Sequence, residues 1–205
     1  MEISMDSEIK QMIEAWEHAA TKRGKIIDFN ITIENTLTDI ITWCFYPSKY
    51  SSGEYISDLL DKDGLVLKSL LLRKIEFREK IKILKDVIIA KKPHIAESYK
   101  ALISTIVEEL NQVREFRNLL AHSESDISSK FLSSLKHTNG EPIDKLQLIE
   151  YKKGKVIKHL IDKRKYLSET KIMLRVFHRL WQLFALLNDD SDSAKETEEL
   201  VALLS

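Results

Sequence analysis

Apolar side chains recur at steps of three and four residues along most of this chain, a spacing that is typical of amphipathic helices. The clearest stretches are residues 25–46, 95–122 and 163–187. Glycine and proline, which interrupt helices, number only 5 and 3 among the 205 residues. The sequence therefore predicts an all-α fold, a mainly helical bundle, with room for only a small β element.

That β element is predicted at about residues 145–161, as an appended β-hairpin. The segment KLQLIEYKKGKVIKHLI alternates apolar and polar residues on both sides of a glycine-containing turn at Lys152 to Lys155. Alternation on both sides of a short turn is the pattern of an antiparallel hairpin. The last long helix, 163–187, follows the hairpin directly.

Three segments are predicted along the chain. The first is an N-terminal helix, 1–24, and its Gly24 either breaks the helical pattern or merely weakens it, because glycine has a low helix propensity. A helical domain, 25–187, contains the hairpin. Six acids against one lysine in residues 188–199 predict that the C-terminal tail, 188–205, is a frayed or loosely helical end.

The helical domain is predicted to contain two internal breaks. The sequence DKDG at 61–64 predicts a turn, and residues 65–90 then predict one helix. Pro93 predicts a break after it, since proline forces the preceding residue out of the helical conformation. The strongest helical pattern of the chain, 95–122, follows that break.

Composition limits the classes of protein to which the chain can belong. Its formal net charge is +0, so any affinity for nucleic acid must come from local patches. Cys44 is the only cysteine, which excludes an internal disulfide and cysteine-rich zinc sites and fits a reducing cytosol. No apolar run approaches the roughly 18 residues of a membrane span, and the 6 histidines are scattered. We therefore expect a cytoplasmic protein without membrane partner, metal or cofactor.

An arginine interrupts the apolar seam of the helix predicted over 95–122. Arg117 occupies a position where the spacing demands a buried side chain, and a buried charge without its partner costs about 3 to 5 kcal/mol. Polar residues in such seams commonly serve register or function. The seam, at alternating steps of four and three, consists of Tyr99, Ile103, Ile106, Leu110, Val113, Arg117 and Leu120.

A second stripe of polar residues runs beside this seam. Arg114, Asn118 and His122 are spaced four residues apart, so they share one helix face. His122 falls in the last turn, where the helix dipole favours a positive charge. Two interpretations stay open on spacing alone. The residues form a cationic, hydrogen-bonding site, or Arg117 pairs with a carboxylate such as Glu34 while His122 is a solvated capping residue.

The string FRNLLAHS, with Arg117 and His122, resembles the Arg-x4-6-His motif of HEPN domains, including the polar residue after the arginine, here Asn118. The order of helices over about 25–187 resembles that family too. The resemblance implies a small helical bundle that dimerises and, in many members, acts as a metal-independent endoribonuclease, often as a toxin or in antiviral defence. A cognate antitoxin or nucleotidyltransferase is then a possible protein partner.

The resemblance also assigns roles to individual residues. Arg117 and His122 would be catalytic, with Asn118 supporting them, and Glu34 would correspond to a polar residue that supports the motif in some HEPN families. Arg114 is a further supporting candidate because it shares the polar stripe with Asn118 and His122. Glu124 stands where some HEPN toxins carry a tyrosine that a nucleotidyltransferase modifies, which argues against that route of control. The alternative is a catalytically inactive HEPN module that dimerises and binds RNA or a protein partner.

The chemistry of RNA cleavage suits this residue set. RNA supplies its own nucleophile, the 2′-hydroxyl beside the scissile phosphate. The enzyme therefore needs to do little to bring the attacking oxygen and the phosphorus together. Histidine moves protons near neutral pH, and the planar donors of arginine stabilise the charge on phosphorus. The reaction requires two groups that transfer protons, a base and an acid. A two-fold dimer would supply both, because each copy contributes its motif histidine.

A basic segment, KKGKVIKHLIDKRK at 152–165, predicts a surface for the RNA backbone, since phosphate contacts supply affinity without sequence preference. A merely solvated surface is the alternative. The cations of this predicted patch are Lys152, Lys153, Lys155, Lys158, Lys163, Arg164 and Lys165.

Overall fold

The structure is a computed structural model that describes residues 5–47, 60–126, 128, 131, 145–188, 195, 198–199 and 201–204. It is mainly helical with one small antiparallel sheet, which confirms the predicted fold class. The elements are α1 (Met5–Phe45), α2 (Lys62–Lys74), α3 (Phe77–Lys91), α4 (Pro93–Ser98), α5 (Lys100–His122), β1 (Glu124–Ser125), β2 (Leu146–Lys152), β3 (Lys155–Ile161) and α6 (Lys163–Leu187).

The chain divides into two compact units. The first comprises Met1–Asp28 and Phe116–Thr170, and the second comprises Phe29–Glu115 and Lys171–Ser205. Helices α1, α5 and α6 each contribute residues to both units. The C-terminal end of α5, which carries Arg117 and His122, and the hairpin therefore belong to the first unit.

The second unit is built around a helical core. Trp43 of α1 packs edge-to-face on Phe184 of α6, with ring centroids 5.3 Å apart. Burial of the apolar helix faces is the main free-energy gain that holds the helices in place. The aliphatic side chains of this unit with 0% exposure are Ile33, Leu37, Ile40 and Ile41 of α1, Leu84 and Ile88 of α3, Ile106 and Leu110 of α5, and Val176, Leu180, Leu183 and Leu187 of α6.

The first unit contains the sheet, with strand order β1-β2-β3 and antiparallel pairing throughout. The predicted hairpin is confirmed. Its two-residue turn has positive φ at Lys153 (51°) and Gly154 (75°), the combination that a tight hairpin turn requires. The sequence did not predict β1, because two residues are too few to show an alternating pattern.

Helix α1 runs without a break through Gly24, so this glycine does not end the helix and the separate helix predicted from residue 25 is wrong. A glycine inside a helix costs only about 1 kcal/mol relative to alanine. Apolar residues on either side, Ala19 and Ile26, are buried at 5% and 3% exposure. Their burial outweighs the weakness of glycine, and the helix continues.

Two other helix boundaries also differ from the prediction. The sequence DKDG begins α2 rather than forming a turn, since the Asp61 side chain accepts a hydrogen bond from the backbone N–H of Gly64 at 2.8 Å. The predicted helix 65–90 is interrupted at Ile75 and Glu76, which have extended backbones. The predicted break at Pro93 is confirmed, with Pro93 as the first residue of α4.

The predicted helix 95–122 is divided at Tyr99 into α4 and α5. The division is local. The backbone N–H of Tyr99 still donates to the carbonyl of Ile95 at 2.9 Å, and that of Ile103 donates to the carbonyl of Tyr99 at 3.0 Å. The hydrogen-bond pattern of a helix is therefore kept around a one-residue distortion.

The predicted C-terminal tail lies only partly within the described residues, and most of what is described there is helical. Residues 201–203 are helical, and Val201 is 8% exposed. The Arg175 guanidinium donates to the carbonyl of Leu204 at 3.4 Å. In the described portion of the chain, no helix has an apolar stretch long enough to cross a bilayer.

Candidate functional site

The buried stripe of α5 passes through Phe116 rather than Arg117. Phe116 is 5% exposed and Leu120 is 1% exposed, whereas Arg117 is half-buried. A step of three from Val113 to Phe116 fits 3.6 residues per turn as well as a step of four. The prediction that Arg117 fills a core position is therefore wrong, and its charged group lies at the edge of the stripe.

Arg117 and His122 both keep hydrogen-bonding capacity for a ligand. The Arg117 guanidinium donates to the side-chain oxygen of Asn118 at 3.3 Å. No described carboxylate of the first unit pairs with Arg117, and no described side chain of that unit binds the exposed imidazole of His122. This hydrogen bond joins two neighbouring residues of α5, and the supporting role of Asn118 stays a prediction.

Helix geometry separates the two motif residues around the axis of α5. At about 100° per residue, the five positions from Arg117 to His122 amount to an angular separation of about 140°. Asn118 lies between them on this surface. One copy of α5 therefore carries Arg117 and His122 on different faces, more than a third of a turn apart.

Two other predicted supporting residues, Arg114 and Glu34, lie in the second unit. The Arg114 guanidinium lies 3.5 Å from the carboxylate of its neighbour Glu115. The Glu34 carboxylate pairs with Lys80 at 2.5 Å, and Lys80 is completely buried. The ion-pair partner that the sequence analysis considered for Glu34 was Arg117, whereas the structure gives it Lys80.

Arg23 of α1 fixes the end of the motif helix, a role that sequence reasoning missed. Its guanidinium donates to the carbonyl of Leu120, to the carbonyl of Ser123 at 3.0 Å, and to the hydroxyl of Ser125 at 3.1 Å. Burial lowers the pKa of Arg23 from its usual value, yet arginine stays charged in proteins. It satisfies carbonyls that the helix end leaves without partners and so positions the turn that carries His122.

Replacing Arg23 by methionine is expected to lower the free energy of unfolding by about 2 kcal/mol, since hydrogen bonds to charged groups contribute about 1.5 to 3 kcal/mol. Urea unfolding followed by circular dichroism measures the change. Lys25→Met, at an exposed position two residues further along α1, is the matched control. A loss no larger than that of the control would show that Arg23 does not hold this helix end.

The predicted basic patch is fully exposed, since all seven of its cations have exposed side chains. Lys158 pairs with Asp126 at 2.9 Å, and Lys165 pairs with Glu169. Burial alone would raise the pKa of the Asp126 carboxyl, but hydrogen bonds from Ser128 and the ammonium of Lys158 outweigh it and lower that pKa. The other five cations have no ion pair with a described residue of their unit.

Cys44, the only cysteine of the chain, is buried in the second unit. Burial raises the pKa of its thiol to about 12. The thiolate, which is the reactive form, is therefore scarce at neutral pH. Within the described ranges, no three side chains of His, Cys, Asp and Glu are grouped so that they could hold a metal ion.

Comparisons with protein-family models, with curated proteins and with solved structures find no match for this chain. The resemblance to HEPN domains therefore depends on the sequence motif and the order of helices. What the fold and the site define is a mainly helical protein in which half-buried Arg117 and Asn118 and exposed His122 lie in the last part of one helix.

Proposed function

We propose that this chain is a metal-independent endoribonuclease of HEPN type that acts in the cytoplasm as a homodimer. The supporting observation is the end of α5, where Arg117 and His122 have no described carboxylate partner in their unit and His122 is exposed. A role as a toxin or antiviral effector, with an antitoxin or nucleotidyltransferase as partner, follows from the motif resemblance alone.

The proposed reaction is attack of the 2′-oxygen of RNA on the adjacent phosphorus. A base removes the 2′-hydroxyl proton, the bond to the 5′-oxygen breaks, and an acid gives that oxygen a proton. The products are a 2′,3′-cyclic phosphate and a 5′-hydroxyl. His122 performs the proton transfers, and Arg117 stabilises the negative charge that develops on the phosphorane oxygens.

A dimer would supply the second proton-transfer group that a single motif lacks. In-line displacement calls for a base and an acid on opposite sides of the phosphorus, and one chain offers one motif histidine. The angular separation of about 140° between Arg117 and His122 also argues for groups from two chains around one phosphate. A two-fold arrangement of two α5 ends would bring together two imidazoles and two guanidiniums.

Cleavage of a single RNA with defined ends tests this proposal. We expect cleavage to continue in excess EDTA, to leave 2′,3′-cyclic phosphate ends, and to stop when the 2′-hydroxyl at the cleaved position is replaced by hydrogen. Mass spectrometry of the fragments identifies the ends. Cleavage that needs a divalent metal, or that leaves 3′-hydroxyl ends, would contradict it, and a lack of any cleavage would favour the catalytically inactive alternative.

A further inference from the structure

Tyr151 presents an exposed aromatic ring on the outer face of the hairpin. Its side chain is 66% exposed, and the described part of the first unit gives it no aromatic or cation–π partner. It lies directly opposite Val156, which is 59% exposed, and Leu160 further along β3 is 55% exposed. Tyr151 and Val156 form an apolar strip that folding does not use, and Lys158 separates it from Leu160 on the same face.

This strip is separate from the buried face of the same hairpin. Side chains alternate along a strand, so residues 147, 149 and 151 share one face with 156, 158 and 160. The opposite face carries Leu148 and Ile161, at 0% and 4% exposure. The hairpin therefore has one face for folding and another that is open to a ligand.

The charged residues beside the strip indicate which class of ligand this face can bind. Lys152, Lys153 and Lys155 adjoin Tyr151 at the hairpin tip, are exposed, and pair with no described carboxylate of their unit. An aromatic ring among unpaired cations suits single-stranded nucleic acid, whose bases stack and whose phosphates attract lysine. A duplex does not fit, since its base faces are already stacked on one another.

The sheet register relates Tyr151 to the short strand that follows the motif. In the pairing of β1 with β2, Glu124 is opposite Ile149 and Ser125 is opposite Leu148. Tyr151 lies two residues beyond Ile149 in β2, about 7 Å along the strand. His122, the last residue of α5, lies two residues before Glu124. Both residues are therefore two positions from the same pair, Glu124 and Ile149, in the first unit.

We propose that Tyr151 is a positioning residue that stacks on a base of single-stranded RNA next to the phosphate cleaved at His122. The placement beside a scissile phosphate depends on the ribonuclease function proposed above. The stacking itself does not, because it concerns binding only. Val156 supports one edge of the ring, and the tip lysines hold the flanking phosphates.

Binding of a fluorescein-labelled oligodeoxythymidylate tests the stacking, because this probe has no 2′-hydroxyl and cannot be cleaved. Fluorescence anisotropy should show that Tyr151→Ala weakens binding by about 5- to 100-fold. Tyr151→Phe, which keeps the ring, should bind like the wild type, and Leu160→Ala is the control for loss of apolar surface. A duplex of the same sequence should bind equally to wild type and Tyr151→Ala.

Several outcomes would overturn the proposal: a wild-type chain that does not bind the probe, a Tyr151→Ala variant that binds it unchanged, or a Tyr151→Phe variant that binds as weakly as Tyr151→Ala.

Failure of the ribonuclease proposal can be distinguished from failure of the stacking proposal. If Tyr151 governs binding but no RNA is cut, stacking stands and the enzymatic function falls. If RNA is cut by both wild type and Tyr151→Ala with the same KM, the function stands and stacking falls. Both proposals together predict a raised KM with little change in kcat.

Discussion

RNA cleavage is expected to fall by about 100- to 10,000-fold when His122 is replaced by alanine, the range that general acid–base catalysis contributes. The exposed imidazole has no described partner in the first unit, so the fold should not change. The measurement is the initial rate of cleavage, together with circular dichroism and an unfolding curve. In a composite site both copies lose their proton-transfer group at once, which favours the upper part of this range.

A matched control and a companion variant sharpen this experiment. His94→Ala, at another exposed histidine on α4, should cleave RNA at the wild-type rate. Arg117→Lys keeps the charge but loses the planar pair of donors, so activity should fall although binding of the nucleic acid is retained. A His122→Ala protein that is folded and as active as the wild type would remove His122 from the mechanism.

The second large effect concerns stability. Glu34→Met is expected to lower the free energy of unfolding by about 3 to 5 kcal/mol, since it leaves the ammonium of Lys80 buried without its counter-charge. Lys80 has 0% side-chain exposure, and its partner carboxylate has 22%. Such a loss is a large share of the total stability of a typical domain, about 5 to 15 kcal/mol.

The double variant Glu34→Met/Lys80→Met should recover most of that loss, because an apolar pair of similar volume can replace a buried ion pair. Glu79→Met, in the exposed ion pair with Lys82, is the control and should leave the unfolding midpoint unchanged. A double variant no more stable than Glu34→Met would contradict this account. Its RNA cleavage per folded molecule then tests separately whether Glu34 supports catalysis.

Sequence periodicity predicted most of the fold because burial is what it encodes. The helices of the second unit and the hairpin follow directly from spacings of three to four and of two. Helix ends were less predictable, as at Gly24, since a residue's preference is smaller than the burial of its neighbours. The strand β1 was not predictable at all, since it consists of Glu124 and Ser125 paired to a partner more than 20 residues away.

The candidate site was predictable in part, for a similar reason. The motif string marks Arg117, Asn118 and His122, which are consecutive or close in sequence. Arg23 carries no such signal, because its three acceptors lie about 100 residues further along the chain. Lys80 carries a weak sequence signal. It falls between Phe77 and Ile81 in the apolar stripe of α3, where a lysine needs a counter-charge.

The position of β3 at the edge of the described sheet has a consequence for how two copies can associate. If this strand paired antiparallel with itself about Lys158, ammonium groups would face one another across the junction, and like charges opposite each other are destabilising. Lysines on an edge strand commonly prevent such sheet-to-sheet growth. The homodimer proposed above is thus not expected to form through a continuous intermolecular sheet at β3.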